Sequence, residues 1–308
     1  MKYFIKSLIL FILFAVIVFG CLLVSLVLRS ENYLSSEFRL RAKTTVISIS
    51  HSHLECAIDP AIWPEYQDFC TPGSPPWFWL MKLQEITKRN PGKLPKIVLI
   101  ACSVQDMNLG GREELERDYF SIYLPMSLQH VSLWPYGRSS LKVDDVICTL
   151  IQKAVKVKFD NYIEHAPENM ESLFIKDRGN EFLKKQFNLH FNNQRPSFHN
   201  SEEIYSETLS AIIDTAEKNK MEVVMILAPY HAKYRAMVPE KHVKKLKTVV
   251  DYLIKKHRIR FLDYWKLPLE DVDFRDGDHL SNTGRQKFTR ILMSDLGFPA
   301  PPAGDGKE

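Results

Sequence analysis

Apolar positions along this chain form one long run, four short runs and several stripes at helical spacing. The long run covers residues 7–28, from Ser7-Leu8-Ile9-Leu10 to Leu26-Val27-Leu28, and carries no charge. At ~1.5 Å of rise per residue such a helix reaches ~33 Å, enough to cross a bilayer core. It passes straight into Arg29-Ser30-Glu31-Asn32 with no small-x-small cleavage site, so the pattern predicts an uncleaved anchor.

The short runs, 44–50, 96–102, 222–228 and 260–263, read as strands; the first is β-branched and short, as a buried strand should be. Helical spacing appears at 77–89, ended by Asn90-Pro91-Gly92, and at 201–220 with Ser201 as N-cap. It recurs at 239–257 and 280–296, and in shorter stretches at 114–122 and 139–157. Loops are expected at 59–76, rich in Pro and aromatics, and at 103–113, with Gly110-Gly111 at the turn. Between 158 and 198 the period is lost, and an insertion over the domain surface is expected there.

Alternating strands and helices predict a parallel sheet covered on both faces. One domain over 44–296 is the simplest account, behind a tail (1–6), the anchor (7–28) and a polar connector (29–43). Residues 297–308 are expected as a disordered tail. Ligands of such sheets bind beyond the carboxyl ends of the strands, where His53, Ser103, Tyr230 and His279 are expected.

With 308 residues the chain is long enough for one sizeable α/β domain plus accessories. Its 41 Lys and Arg stand against 37 Asp and Glu without a basic stripe, which argues against nucleic acid as a partner. The cluster from Lys241 to Lys247, with Lys255, Lys256, Arg258 and Arg260, reads as the wet face of a helix. Lys2 and Lys6 precede the anchor while Arg29, Arg39, Arg41 and Lys43 follow it, so charge alone does not orient it. The five cysteines lack zinc-type spacing. Cys56 and Cys70 are a candidate disulfide if the domain is exported, and Cys102 and Cys148 read as buried thiols.

Two blocks carry the chemistry: Ser50-His51-Ser52-His53 after the first strand and Asp276-Gly277-Asp278-His279 before the last helix. A serine hydroxyl becomes a useful nucleophile only when a base takes its proton and a third group orients that base. Asp-x-x-His supplies base and orienter in one local unit. The plain structural reading makes Asp276 and Asp278 turn and cap residues. A second enzyme reading sees His51-Ser52-His53-Leu54-Glu55-Cys56 as close to the metal motif His-x-His-x-Asp-His, with His231 and His279 completing a zinc site. Glu and Cys at its fifth and sixth positions speak against it, and no metal or other cofactor is expected.

The first block, continued by Leu54-Glu55-Cys56-Ala57-Ile58-Asp59-Pro60, resembles that of the SGNH (GDSL-type) hydrolases. So does the closing block Phe274-Arg275-Asp276-Gly277-Asp278-His279-Leu280-Ser281 with Gly284. The chain is most similar to the membrane-anchored subgroup, whose members acylate exported polysaccharides or teichoic acids. This resemblance implies a three-layer flavodoxin-like fold and acyl-ester chemistry, either esterase activity or O-acyl transfer on a surface glycan or other acylated carbohydrate. It implies Ser52 as nucleophile, His279 as base and Asp276 as orienter, in a domain outside the cytoplasm.

The chain departs from the family at Ser50 and His51, where Gly and an acid or amide are usual. It departs again at Ser103-Val104-Gln105-Asp106, in place of Gly-x-Asn-Asp. Gln105 is then expected to offer the oxyanion amide, and His53, Ser103 and His231 (in Ala228-Pro229-Tyr230-His231) to line the cleft. The departures leave open a catalytically inactive binding protein that serves an assembly partner in the cell envelope.

Overall fold

The computed structural model describes residues 2–108, 170–172, 174, 179–192 and 201–299. The turn at Gly110-Gly111, the helices at 114–122 and 139–157, Cys148 and nearly all of the expected tail lie outside the described residues.

Five strands form the sheet: β1 Val46–Ser48, β2 Tyr66–Asp68, β3 Ile97–Ala101, β4 Glu222–Leu227 and β5 Arg260–Asp263. All pairs are parallel and the order is β2-β1-β3-β4-β5, the flavodoxin-like doubly wound arrangement. Successive side chains of a strand point to opposite faces, and here both faces are covered. Val98 and Ile100 join one core with Ile47, Ile49, Val223 and Met225. Ile97, Leu99 and Ala101 join the other with Val46, Val224 and Ile226. Helices α3 Pro76–Arg89, α5 Ser201–Lys218 and α7 Glu240–His257 pack on the first face. Helices α2 Ser52–Glu55 and α8 Asn282–Asp295 pack on the second.

Four of the five strands stand where apolar runs predict them. β2 does not; it lies inside the expected loop 59–76. Tyr66-Gln67-Asp68 has no apolar alternation to announce it, and its strand character comes from its partner. Val46, Ile47 and Ser48 pair with Tyr66, Gln67 and Asp68 in register. Ser48 Oγ lies 2.6 Å from the Tyr66 hydroxyl and 2.5 Å from Asp68 Oδ1.

Three smaller differences have local causes. Helix α5 begins at Ser201 itself, so Ser201 is its first residue and not its cap. Helix α8 starts later than 280 because Ser281 is its cap, its hydroxyl accepting from Gly284 N at 3.2 Å. Cys56 and Cys70 are free thiols, each buried, so the disulfide envisaged for an exported domain is not formed.

The first helix, α1 Lys2–Glu37, is 36 residues long. Its window Tyr3–Cys21 has a mean hydropathy of 2.7 and no buried residue, as a membrane anchor or a signal sequence would. It runs well into the stretch expected as a connector. Beyond it Phe38 and Leu40 enter the first core, at 0% and 6% exposure.

Candidate active site

The site is assembled by loops at the carboxyl edge of the sheet, and buried hydroxyls fix the first of them. Ser50 Oγ accepts from Ala101 N at 3.0 Å, tying the end of β1 to the end of β3. Its carbonyl accepts from Thr71 N at 2.8 Å. The chain then turns through His51, whose Nδ1 caps α2 by accepting from His53 N at 3.3 Å. Ser52 is therefore the first helical residue, with its hydroxyl partly open.

The closing loop folds back on itself. Phe274 and Leu280 form an antiparallel bridge, and Arg275 N donates to the His279 carbonyl at 3.0 Å. Gly277 sits where a Cβ would come within 2.6 Å of Tyr234 Cγ and 2.7 Å of Gln186 Oε1, so a side chain has no room there. Its carbonyl accepts from His231 N at 2.9 Å, which joins this loop to the one after β4.

Between the two loops Ser52 Oγ lies 2.8 Å from His279 Nε2. On the other side of the ring, Nδ1 lies 3.0 Å from both Asp276 oxygens and 3.1 Å from Asp278 Oδ1. A nitrogen facing carboxylates carries the proton, which leaves Nε2 as acceptor toward the serine. Asp276 Oδ1 also accepts from the backbone N–H of Asp278 and of His279, at 3.1 and 3.0 Å. Burial alone would pull the His279 pKa down. The Asp276 and Asp278 carboxylates outweigh it and raise the imidazole well above its ordinary value.

Asp278 is the hub of the site. Burial disfavours its charge, but His279, His53 and His190 around it hold its pKa well below the carboxylate range. Gln105 Nε2 donates to its Oδ2 at 2.9 Å, and Gln186 Nε2 donates to its Oδ1. His53 Nε2 stands 3.3 Å away and His190 Nδ1 3.5 Å. Burial lowers the His53 pKa to about 4, against the pull of Asp278, so that ring is neutral at physiological pH.

A second group borders the first. His51 Nε2 lies 3.3 Å from Asp106 Oδ2 and 3.3 Å from Ser103 Oγ. Asp106 also accepts from Ser103 N at 2.9 Å and the Tyr205 hydroxyl at 3.0 Å. Burial opposes its charge, but His51 and the hydrogen bond from Ser103 bring its pKa down to about 2. Because its Nδ1 is an acceptor and its Nε2 faces Asp106, His51 serves as a donor and not as a base for Ser103.

These groups open on a cavity of about 170 Å³, lined by Ser52, His53, Gly73, Ser103, Gln105 and His279 among others. The structure thus brings together Ser52, His279 and Asp276, and sets His53, Ser103 and Gln105 around them. Gln105 differs from expectation in one respect. Its Nε2 lies 2.5 Å from His53 Nε2 and 2.9 Å from Asp278 Oδ2, and its Oε1 accepts from the Tyr230 hydroxyl at 2.5 Å. Both amide hydrogens face protein acceptors and neither faces the cavity.

His231, expected in the cleft, is not there. Its Nδ1 caps α6 Ala232–Met237 by accepting from Lys233 N at 3.3 Å, and its Nε2 lies 3.0 Å from Asp271 Oδ1. Its ring stacks on Phe174 at 4.0 Å. The four-histidine zinc set is therefore not assembled. Of its four histidines, His53 and His279 do form a grouping with Asp278 whose ligand atoms lie within 4.8 Å of one another.

Sequence reasoning missed Asp278, which reads as a turn residue, and missed Gly73, Gln186 and His190 altogether. Gln186 and His190 come from 158–198, on α4 Gly179–Phe187 and the π-helical turn Asn188–Asn192. Gln186 bonds Asp276, Asp278 and the Gly277 N–H, and no local signal marks a glutamine for that duty.

No family model matches this chain, and no curated protein matches it. Among solved structures it is similar to a Bacteroides fragilis protein described as an acylhydrolase. The identity is 10%, the match covers 85% of this chain and 92% of that one, and the TM-score is 0.43. It is similar also to a GDSL-like lipase from Bacteroides thetaiotaomicron, again at 10% identity and a TM-score of 0.43, covering 87% of this chain and 96% of that one. The class assigned here, a doubly wound α/β protein, rests on the strand order and register above.

Proposed function

We propose that this chain is a membrane-anchored serine esterase or O-acyltransferase that acts on an acylated surface glycan. The observation that carries the reading is the file of contacts from Ser52 Oγ to His279 Nε2 at 2.8 Å and from His279 Nδ1 to Asp276 at 3.0 Å. Ser52 Oγ attacks the ester carbonyl while its proton passes to His279 Nε2. The tetrahedral adduct then collapses, the alcohol leaves with that proton, and the acyl group stays on Ser52. His279 next deprotonates either water, giving hydrolysis, or a sugar hydroxyl, giving transfer, and serine is regenerated.

Ser52 N–H, at the first helical position, has no acceptor inside the helix and supplies one donor to the oxyanion. Gly73 also lines the cavity, and its backbone N–H is the second donor in this reading. With the Gln105 amide turned inward, a third donor is missing, and loss of one typically costs ~100- to 1000-fold in turnover. A slow enzyme is the natural outcome.

The zinc-hydrolase alternative retains the trio His53, Asp278 and His279. It is the weaker reading because a metal on His279 would have to displace either Ser52 from Nε2 or two carboxylates from Nδ1.

Fluorophosphonate labelling of the purified full chain tests the proposal. Wild type is expected to label, and Ser52→Ala to lose the label entirely. Labelling that persists in Ser52→Ala assigns the nucleophile elsewhere, and no labelling of either protein leaves a binding or assembly role. Loss of one metal equivalent in His53→Ala would favour the zinc alternative.

A further inference from the structure

Every strand of the sheet runs the same way, so its two edges are chemically distinct. The proposed catalytic residues and their neighbours in the cleft follow strand ends: Ser52 after β1, Ser103 and Gln105 after β3, and Asp276 and His279 after β5. The anchor joins the molecule at the opposite edge. Asn90, in the turn before β3, accepts from Leu40 N at 2.9 Å through Oδ1 and donates to the Phe38 carbonyl at 2.8 Å through Nδ2. Arg89 Nη1 donates to Ser35 Oγ at 2.5 Å, on the last turn of α1. Thr45, just before β1, accepts from Lys96 N at 2.7 Å and Ile97 N at 3.1 Å, where β3 begins. With Phe38 and Leu40 buried, the junction is a docked joint and not a loose tether.

From this joint we infer that the catalytic mouth is held away from the bilayer and takes a water-borne acyl ester, such as one on a carbohydrate chain, and not an ester of a membrane lipid. The inference rests on the anchored-esterase reading above. Its geometry follows from element lengths. The seven residues from Arg29 to Ser35 separate the end of the apolar run from the joint by about 10 Å as helix. Helix α3 has its C-terminus at the joint and its N-terminus, Pro76, at the cavity. Its 14 residues add about 21 Å, so with the two helices along the membrane normal the mouth stands up to about 30 Å beyond the end of the apolar run. A lipid acyl group would have to leave the bilayer by that distance to reach Ser52, whereas a polymer in the aqueous space need not approach the membrane at all.

Two exposed lysines mark the edges: Lys93 beside the joint and Lys233 beside the mouth. In full-length protein with Cys21→Ser and Cys148→Ser, Lys93→Cys and Lys233→Cys are labelled singly with a donor dye and reconstituted into phosphatidylcholine vesicles that carry an acceptor lipid. Energy transfer is expected to be strong from position 93 and to fall at position 233; equal transfer, or the reverse order, overturns the proposal. The same measurement in a Ser52→Ala background reads orientation without any enzyme activity, so a failed esterase reading and a failed orientation are told apart. In unlabelled vesicles a soluble short-chain aryl ester is expected to be consumed at the detergent rate while the vesicle phospholipid stays intact. Fatty acid released from that phospholipid overturns the assignment of substrate class.

Discussion

His279, the base of the proposed mechanism, is flanked by more negative charge than that role needs. Asp276 binds Nδ1 through two oxygens at 3.0 Å, and Asp278 adds a third at 3.1 Å. Together they favour the imidazolium and raise its pKa well above the usual value. A base must be neutral to act, so the rate is expected to climb as pH rises through that raised pKa. In Asp278→Asn one opposing charge is gone and the imidazolium is less favoured. The ascending limb of kcat/KM for a short aryl ester then moves to lower pH, measured in matched buffers. A limb that stays in place, or moves up, means Asp278 does not face the base in solution. Asp276→Asn is expected to cost less than the ~10⁴-fold typical of losing a sole orienting carboxylate, because Asp278 still holds the proton on Nδ1. The residues that touch the serine were legible, since hydroxyl, acid and imidazole occur at motif spacing. The groups that hold the acids in place were not. Gln186 and His190 lie in a stretch without period, and only folding brings them to Asp278.

At the scale of elements, Gly284, like Gly277 in the closing loop itself, sets how closely that loop packs. Gly284 lies in the first turn of α8, where a Cβ would fall 1.9 Å from the Asp273 carbonyl oxygen. That oxygen also accepts from Ser281 N at 2.9 Å, so it cannot move without breaking the cap. Gly284→Ala is expected to destabilise the protein by about 1–3 kcal/mol, the range of overpacking in a close-packed interior, read as a lowered melting temperature in detergent. An unchanged melting temperature would show that α8 slides freely against the turn Asp271–Asp273. The strands of the sheet interior were legible because burial on both faces demands an unbroken apolar run. The edge strand β2 was not, because unlike β5 at the other edge it has no apolar pair to announce it. Its three residues carry a tyrosine, an amide and an acid whose neighbours on β1 decide the matter.

Over the whole molecule, the alternation of apolar runs and helical stripes was enough to give the doubly wound class, but not where the long apolar helix gives way to the domain. Charge and polarity place that boundary near residue 43. Packing places it at Ser35, because Phe38 is completely buried in the first core and Asn90 answers the backbone of Phe38 and Leu40 with two hydrogen bonds and adds a third to Ile86. The two boundaries give different stabilities when the anchor is removed. A chain starting at Ser35 keeps every one of these contacts. A chain starting at Lys43 loses Phe38, worth about 3–5 kcal/mol if its loss resembles a buried Phe→Ala change, together with Leu40. It also leaves the Asn90 side chain buried with two of its partners gone. Set against the ~5–15 kcal/mol that holds a typical domain together, that deficit brings the shorter form to the edge of unfolding. Circular dichroism melts of the two soluble fragments are expected to show a cooperative transition for the longer one and a much lower or missing transition for the shorter. Matching melts would mean that the segment before Lys43 is a mere tether, and the docked joint that turns the mouth from the membrane would go with it.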